Sequence, residues 1–380
     1  MRVALVTENF LPKIDGVTRT LAMLLEHLQR QRHQAIVLAP EGAPKRYAGA
    51  QVFGTPGVPL PMYPELRILL PSPKLKQLLG RFRPDVIHVA DPMVLGAAAI
   101  FWAQSLNIPV VSTYHTNLAA YCNYFHLGML TEPTWAYRRF LHSHCQVTLC
   151  PSPSTALQLE QKGFSNVAVW PRGVNGALFT PSRRSAEWRH GITANPAAKI
   201  ILYVGRLSYE KNLEALLTAF KTIESDEPDA HLVLVGDGPA RQELEQALEG
   251  RRATFTGFLK GEALAEAYAS ADLFAFPSTT ETFGQAVLEA MASGLPVVAF
   301  NAEGVRDLVR HEETGLLVPE GDTAAFTEGV RSLLTHPEQQ AAMHERARSA
   351  AEARTWDSVL NDLMQTYENA IARSHRKSAA

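Results

Sequence analysis

Short, unbroken apolar runs recur along the chain, each followed by a longer stretch whose apolar residues fall three or four positions apart. The first run, Val3 to Thr7 in MRVALVTENF, precedes a polar loop and then LAMLLEHLQR. AIVLAP (35–40), DVIHVA (85–90), PVVSTYH (109–115) and QVTLCPS (146–152) follow, with SPKLKQLLGRF and EPTWAYRRFLHSH among the helical stretches between them. A strand that is apolar on both faces is buried on both, as in a parallel sheet covered by helices on each side. The pattern then starts again with KIILYVGRL (199–207), HLVLVGDGP (231–239), TFTGFL (254–259), LFAFPS (273–278) and PVVAF (296–300). Between the two series, WPRGVNGALFTP (170–181) carries the Pro and Gly residues of a linker. The pattern predicts two Rossmann-like, doubly wound α/β domains facing across a cleft, with ligands held beyond the carboxyl ends of the strands. The tail SHRKSAA is expected to fray.

A chain of 380 residues is too long for one compact core, in keeping with two domains. The net charge of -2 argues against a protein that binds nucleic acid through bulk electrostatics. That balance hides an asymmetry: residues 1–180 hold 16 Lys and Arg against 9 Asp and Glu, and the remainder 20 against 29. A basic front half suits peripheral contact with an anionic membrane surface, and ordinary surface variation accounts for it equally well. Cys122, Cys145 and Cys150 form no C-x-x-C pair, and the start of the chain does not read as a secretory signal, so the expected compartment is a reducing cytoplasm. The longest apolar run, MVLGAAAIFWA (93–103), is well short of the roughly 20 residues that span a bilayer.

Candidate chemistry sits at four predicted strand ends. After the first strand, Asp15-Gly16-Val17 leads into a helix; Gly16 lets backbone approach an anion there, while a helix cap by Asp15 explains the same residues. GDGPAR (236–241) lacks the third glycine of a dinucleotide fingerprint, so a dehydrogenase is disfavoured. Arg206 and Lys211, in VGRLSYEKN, follow the first strand of the second domain and suit a diphosphate; a solvated basic pair is the alternative. His115 ends PVVSTYH, where it is placed to contact a reacting centre or to serve as a structural residue. His142 and His144 lack a third ligand of suitable spacing, so no zinc site is read there. In ETFGQAVLEAMASG, Glu281 and Glu289 would stand about 12 Å apart along one helix. That exceeds the roughly 5–9.5 Å separating a glycosidase pair. With Gly284 at the helix start, unpaired N–H groups of Phe283, Gly284 and Gln285 lie between the two acids, which then read as acceptors for a polyol.

DGV (15–17), GRLSYEKN (205–212), GDGP (236–239) and the E-x7-E stretch ETFGQAVLEAMASGLPVV together resemble the retaining GT-B glycosyltransferases of family 4 over essentially the whole chain. The resemblance implies an acceptor-side domain over 1–172, a nucleotide-sugar-binding domain over 173–355, and a last helix, 356–372, crossing back to brace the first. It implies that Gly16 approaches the donor phosphates, that Arg206 and Lys211 neutralise the leaving diphosphate, and that Glu289 holds the ribose. Glu281 and the amides of Phe283 to Gln285 would hold the transferred sugar, His115 would touch it, and Phe258 would offer backbone contacts to the base. No D-x-D occurs, so metal-independent transfer without a cofactor is expected. PLPMYPELRILLPSP (59–73), STYHTNLAAYCNYFHLGML (112–130), FLHSHCQVTLCPS (140–152) and VWPRGVNGALFTP (169–181) look like the sulfoquinovosyl-diacylglycerol synthases and related glycolipid enzymes. Asn117 and Asn175 depart from that pattern, where His and Asp are usual. The narrower likeness implies UDP-sulfoquinovose as donor and a diacylglycerol-type lipid as acceptor. RRFLH (138–142) and KLKQLLGRFR (74–83) would be the cationic, partly apolar surfaces toward the membrane. The alternatives are a GDP-mannose or UDP-glucose dependent enzyme with a lipid or soluble acceptor, and a non-transferring sugar-nucleotide binder or epimerase.

Overall fold

The computed structural model describes the chain apart from residues 14, 61–62, 120–121, 123–126 and 380, and apart from the side chains at 60, 63–66 and 377–379. It forms two compact units, Met1–Arg172 together with Trp356–Ala380, and Gly173–Thr355.

The first unit contains β1 (Arg2–Thr7), β2 (Gln34–Pro40), β3 (Arg46–Tyr47), β4 (Ala50–Thr55), β5 (Gly57–Leu60), β6 (Tyr63–Leu69), β7 (Val86–Ala90), β8 (Val110–Thr113), β9 (Val147–Cys150) and β10 (Val167–Val169). Eight of these form one sheet in the order β10-β9-β8-β7-β1-β2-β4-β3, while β5 and β6 pair as a separate antiparallel hairpin. All pairs in the large sheet are parallel except β3 with β4. Alternate residues of β1 feed opposite faces: Val3 and Leu5 join one apolar cluster, Ala4 and Val6 another. The helix Gly16–Arg30 buries Leu21, Leu24, Leu25 and Leu28, one stripe at helical spacing, against the first of these clusters.

The same cluster takes Leu360, Leu363 and Tyr367 from the helix Trp356–Ala379. Each such fully buried side chain contributes about 1.5–3 kcal/mol. Polar ties flank them: Arg30 Nη2 lies 2.7 Å from Asp357, and the Trp170 indole N–H donates to the Val359 carbonyl at 3.0 Å. The tail does not end the helix early, since helical backbone continues to Ala379.

The second unit holds β11 (Lys199–Val204), β12 (Ala230–Val235), β13 (Ala253–Gly257), β14 (Leu273–Phe276), β15 (Val297–Phe300) and β16 (Gly315–Val318). The sheet is parallel throughout, in the order β13-β12-β11-β14-β15-β16. Strand order therefore reverses between β7 and β1 in the first unit and between β11 and β14 in the second. The described helices include none long and apolar enough to cross a membrane.

Candidate functional site

Ligands of open parallel sheets bind where strand order reverses, and the loops after β11 and β14 carry most of the candidate residues. Arg206 follows β11, and Lys211 ends a single turn, Tyr209–Lys211, ahead of the helix Leu213–Asp226. Glu281 lies in the loop after β14, and the helix Gln285–Ala292 carries Glu289. Lys211 Nζ donates to Glu281 Oε1 at 2.6 Å, with the two side chains 16% and 21% exposed. Ser278 Oγ donates to the same oxygen at 3.3 Å. Two residues given separate tasks by sequence reasoning are thus partners across the switch point. An ammonium has three N–H donors, so an arriving phosphate can share this cation with the carboxylate. Below them, the Tyr203 hydroxyl donates to the Arg206 carbonyl at 3.1 Å and fixes that loop. Burial, then the nearby Glu281 and Glu210, hold the Tyr203 phenol well above its usual range.

Gly284, at φ +90°, turns the chain into the helix and offers no side-chain cap. The first N–H groups of a helix have no intrahelical acceptor, so this start suits a hydroxyl or phosphate oxygen. Phe283 is buried in the core, and Gly304 packs closely on its backbone, where a Cβ on the glycine would lie 2.6 Å from the Phe283 N. Glu289 is only 2% exposed, and its Oε1 accepts from Gln285 Nε2 at 3.4 Å; the same amide donates to the Gly173 carbonyl at 3.2 Å. Phe258, just past β13, is 70% exposed.

The glycines of GDGP serve packing. A Cβ at Gly236 would lie 1.9 Å from the Gly205 carbonyl oxygen, and one at Gly238 2.3 Å from that of Leu207. Their absence lets the exit of β12 press against the Arg206 loop, where the Leu207 N–H donates to the Asp237 carbonyl at 3.0 Å.

In the first unit, the Asp15-Gly16 turn is a helix cap with open space beside its glycine. Asp15 Oδ1 accepts the Thr18 N–H at 2.8 Å as a helix cap, and the space above Gly16 is open, with nothing within 4 Å of a Cβ. His115 is buried, with Nδ1 2.6 Å from Arg172 Nη2 and Nε2 2.8 Å from Thr113 Oγ1. A guanidinium can only donate, so Nδ1 is the acceptor and the ring proton sits on Nε2. Burial, then Arg172, keep this imidazole neutral, well below its ordinary pKa. With both nitrogens engaged, the His115 ring is arranged as a hydrogen-bonding support, not as an acid or base.

Sequence reasoning missed several residues at this end of the first sheet. Glu8, after β1, accepts the N–H groups of Gly96 at 3.0 Å and Met93 at 3.3 Å across the β7/β1 reversal. Burial pushes its carboxyl up to about 6. Arg138 is buried and paired with Asp91, so it is not the membrane-facing cation that RRFLH suggested. Its helix, Thr131–Ser143, and the helix Val94–Ser105 do share an exposed aromatic patch. Phe101 and Phe140 lie 6.2 Å apart, with His144 4.7 Å from Phe140, and Tyr137, Met129 and Leu130 are also exposed. In KLKQLLGRFR, Leu75 and Leu79 point inward and leave Lys74, Arg81 and Arg83 in solvent. The segments 59–73 and 112–130 fall partly outside the described residues. His142 is buried against Ser112 Oγ at 2.9 Å. The described residues include no cluster of three or more His, Cys, Asp or Glu suited to a metal.

Residues 184–350 match the family model of the glycosyl transferases group 1, and residues 14–177 that of glycosyltransferase family 4. The chain is 37% identical to a GDP-mannose-dependent alpha-mannosyltransferase of Corynebacterium glutamicum, over 99% of this chain and 91% of that protein. It is 35% identical to the sulfoquinovosyl transferase SQD2 of Arabidopsis thaliana, over 94% of this chain and 71% of the plant protein. With the alpha-monoglucosyldiacylglycerol synthase of Streptococcus pneumoniae it shares 30% over 83% of this chain and 75% of that enzyme. Anabaena HepE, solved with UDP, shares the fold at a TM-score of 0.81 and 20% identity, covering 97% of this chain and all of that one.

Proposed function

The chain belongs to the glycosyltransferases of group 1 and family 4, and on that premise we propose that it moves a hexosyl group from a nucleoside diphosphate sugar to a lipid acceptor. The observation that carries this reading is the grouping at the β11/β14 reversal. Lys211 is paired with Glu281 in the loop that leads to an uncapped helix start, Glu289 lies within that helix, and Arg206 follows β11 on the loop that carries Lys211. In the transfer, the bond between the sugar's anomeric carbon and the diphosphate oxygen breaks, and the acceptor oxygen forms the new bond. The acceptor's proton passes to the departing diphosphate. Charge accumulates on the diphosphate, where Arg206 and Lys211 stabilise it electrostatically. Glu281, tied to Lys211, holds sugar hydroxyls and takes no proton, and Glu289 receives the ribose hydroxyls. The sequence lacks a D-x-D, and these fixed cations take the place of a carboxylate-held metal. Attack on the face the diphosphate leaves gives retention.

GDP-mannose is the donor favoured by similarity to the mannosyltransferase, which extends over nearly the whole of both chains. UDP-sulfoquinovose is the second reading, supported by the likeness to the plant sulfoquinovosyl transferase over 94% of this chain. The lipid acceptor is supported by the glucosyldiacylglycerol synthase and by the exposed Phe101–Phe140 patch on the basic first unit, suited to lie against a membrane. Free thiols at Cys122, Cys145 and Cys150 suit the cytoplasmic side. The test is incubation with GDP-mannose, UDP-glucose and UDP-sulfoquinovose, each with short-chain diacylglycerol or its monoglycosyl derivative, read by mass spectrometry and by the NMR coupling of the new anomeric proton. Donor consumption without a lipid product would refute transfer and favour a binder, hydrolase or epimerase.

A further inference from the structure

Arg172 is a buried cation. It is 7% exposed and, among the described residues, no carboxylate pairs with it. Its guanidinium donates to the Trp170 carbonyl at 3.2 Å and to His115 Nδ1 at 2.6 Å, and lies 4.8 Å from the centre of the Trp170 ring. Asp91, which accepts the His115 backbone N–H at 3.4 Å, is committed to Arg138. Removing a cation from water without pairing it is costly, and ordinary structural arginines are given a carboxylate. Here the partners are a neutral imidazole, a carbonyl and an indole face, which orient the fork and, among the described residues, give it no negative charge.

The orientation is enforced from behind. The His115 Nε2–H faces Thr113 Oγ1, which lies 3.1 Å from His88 Nε2, and His88 Nδ1 is bonded to the Tyr367 hydroxyl on the helix Trp356–Ala379. A chain of buried, neutral hydrogen bonds therefore holds His115 with its Nδ1 lone pair turned toward Arg172. Arg172 follows β10 and His115 follows β8, both at the carboxyl ends of parallel strands, the edge at which such sheets bind ligands.

We propose that Arg172, held by His115 and Trp170, is the recognition site for an oxyanion carried by the carbohydrate substrate: a carboxylate, sulfonate or phosphate on the acceptor's head group or on the transferred sugar. The inference rests on the glycosyltransferase reading, and deepens it by naming the chemical class selected. The leaving diphosphate has its own cations, Arg206 and Lys211, in the second unit, so a further guanidinium in the first unit is left for a different anion. A planar fork suits a two-oxygen partner, and a charge-assisted bond of this kind discriminates acid from neutral analogue by about tenfold to hundredfold.

The experiment uses two matched pairs. The first compares glucuronosyl with glucosyl dihexanoylglycerol as acceptors, under the best donor found. The second compares UDP-sulfoquinovose with UDP-glucose as donors to dihexanoylglycerol. The expected result is that the wild-type protein prefers the acidic member of one pair in kcat/KM, and that Arg172→Gln lowers the acid-to-neutral ratio at least tenfold, with Arg172→Lys between. The pair that responds names the source of the oxyanion. A wild-type protein indifferent in both pairs, or a ratio unchanged in Arg172→Gln, overturns the proposal. An equal loss on both members of a pair does so too, since it assigns Arg172 to the diphosphate or to the fold. Calorimetric binding of the same compounds is read alongside turnover. Tighter binding of an acidic member, lost in Arg172→Gln, supports the site even if no sugar is transferred, an outcome that would fail only the glycosyltransferase reading.

Discussion

Replacing Lys211 by Ala probes the centre of the proposed chemistry. The amine stands 2.6 Å from Glu281 Oε1, with both side chains largely shielded from water. At an effective dielectric of about 20, two unit charges about 4 Å apart interact by about 4 kcal/mol. As the anomeric bond breaks, the departing diphosphate gains close to one negative charge, so Lys211 lowers the barrier by a sizeable part of that figure. Losses on removing one preorganised electrostatic group run to about 100–1000-fold, or roughly 2.7–4 kcal/mol, and that range is expected for kcat. The stability cost lies between that of an exposed pair, about 1 kcal/mol, and that of a broken buried pair, about 3 kcal/mol, and is read as a lowered melting temperature. The assay is nucleoside diphosphate release at saturating donor and acceptor, with KM measured separately. The Lys211→Ala/Glu281→Ala double variant separates two roles. If Lys211 only positions Glu281, the double variant matches Glu281→Ala; if both touch the donor, it falls below either single variant. A folded Lys211→Ala protein with kcat within about threefold of wild type would refute the reasoning.

Other expectations follow from single contacts. Glu289→Gln should raise the donor KM by about 10–100-fold, the value of a charge-assisted hydrogen bond, and an unchanged KM would remove Glu289 from the nucleotide. Tyr367→Phe leaves His88 Nδ1 buried without its partner, at a cost of about 1–3 kcal/mol, visible as a lowered melting temperature; no shift would deny the relay its structural weight. His88, pushed down to about 3 by burial, and His115 and His142, also lowered by burial, are neutral in the folded chain but protonate at about 6.5 when it unfolds. Stability should therefore fall as pH drops below about 6.5, by about 1.4 kcal/mol per pH unit for each of them. Glu8, raised to about 6 from 4.5, keeps its proton in the folded state and opposes that slope between those values, where its share of stability is lost as pH rises. The urea midpoint should be lower at pH 5.5 than at pH 7, and equal midpoints would contradict the burial of these rings. Phe101→Ser with Phe140→Ser should weaken sedimentation with anionic liposomes several-fold without lowering the melting temperature; unchanged sedimentation would remove this patch from the membrane face.

Legibility in the sequence followed burial. β1, β7, β11 and β14 are apolar on both faces and read directly as central strands. β3, β4 and the β5–β6 hairpin mix exposed polar positions into short runs, and β16 is a four-residue strand, so neither length nor alternation marked them. Arg206, Lys211 and Glu281 stood out in the sequence as charged residues just past buried strands, and Glu289 as an acid within an apolar helix, where it is buried. Arg172 was hidden in WPRGV, where Pro and Gly announced a linker and said nothing of His115, 57 residues earlier, which holds it. Arg138 and Arg139 look alike in a string of letters. Helical phase alone puts Arg138 beside Trp135 and Leu141 in the interior and leaves Arg139 in water.

The discontinuity of the first unit bears on how the protein is made. β10 leaves the ribosome about 180 residues before the helix Trp356–Ala379, whose Leu360, Leu363 and Tyr367 complete that unit's core. During translation the inserted second unit can close first, because all its strands lie between Gly173 and Thr355. The earlier-made half meanwhile waits with an apolar groove uncovered until the last residues arrive. A nascent chain stalled before residue 356 should bind hydrophobic-surface chaperones, and a nonsense codon there would cost the amino-terminal half its fold.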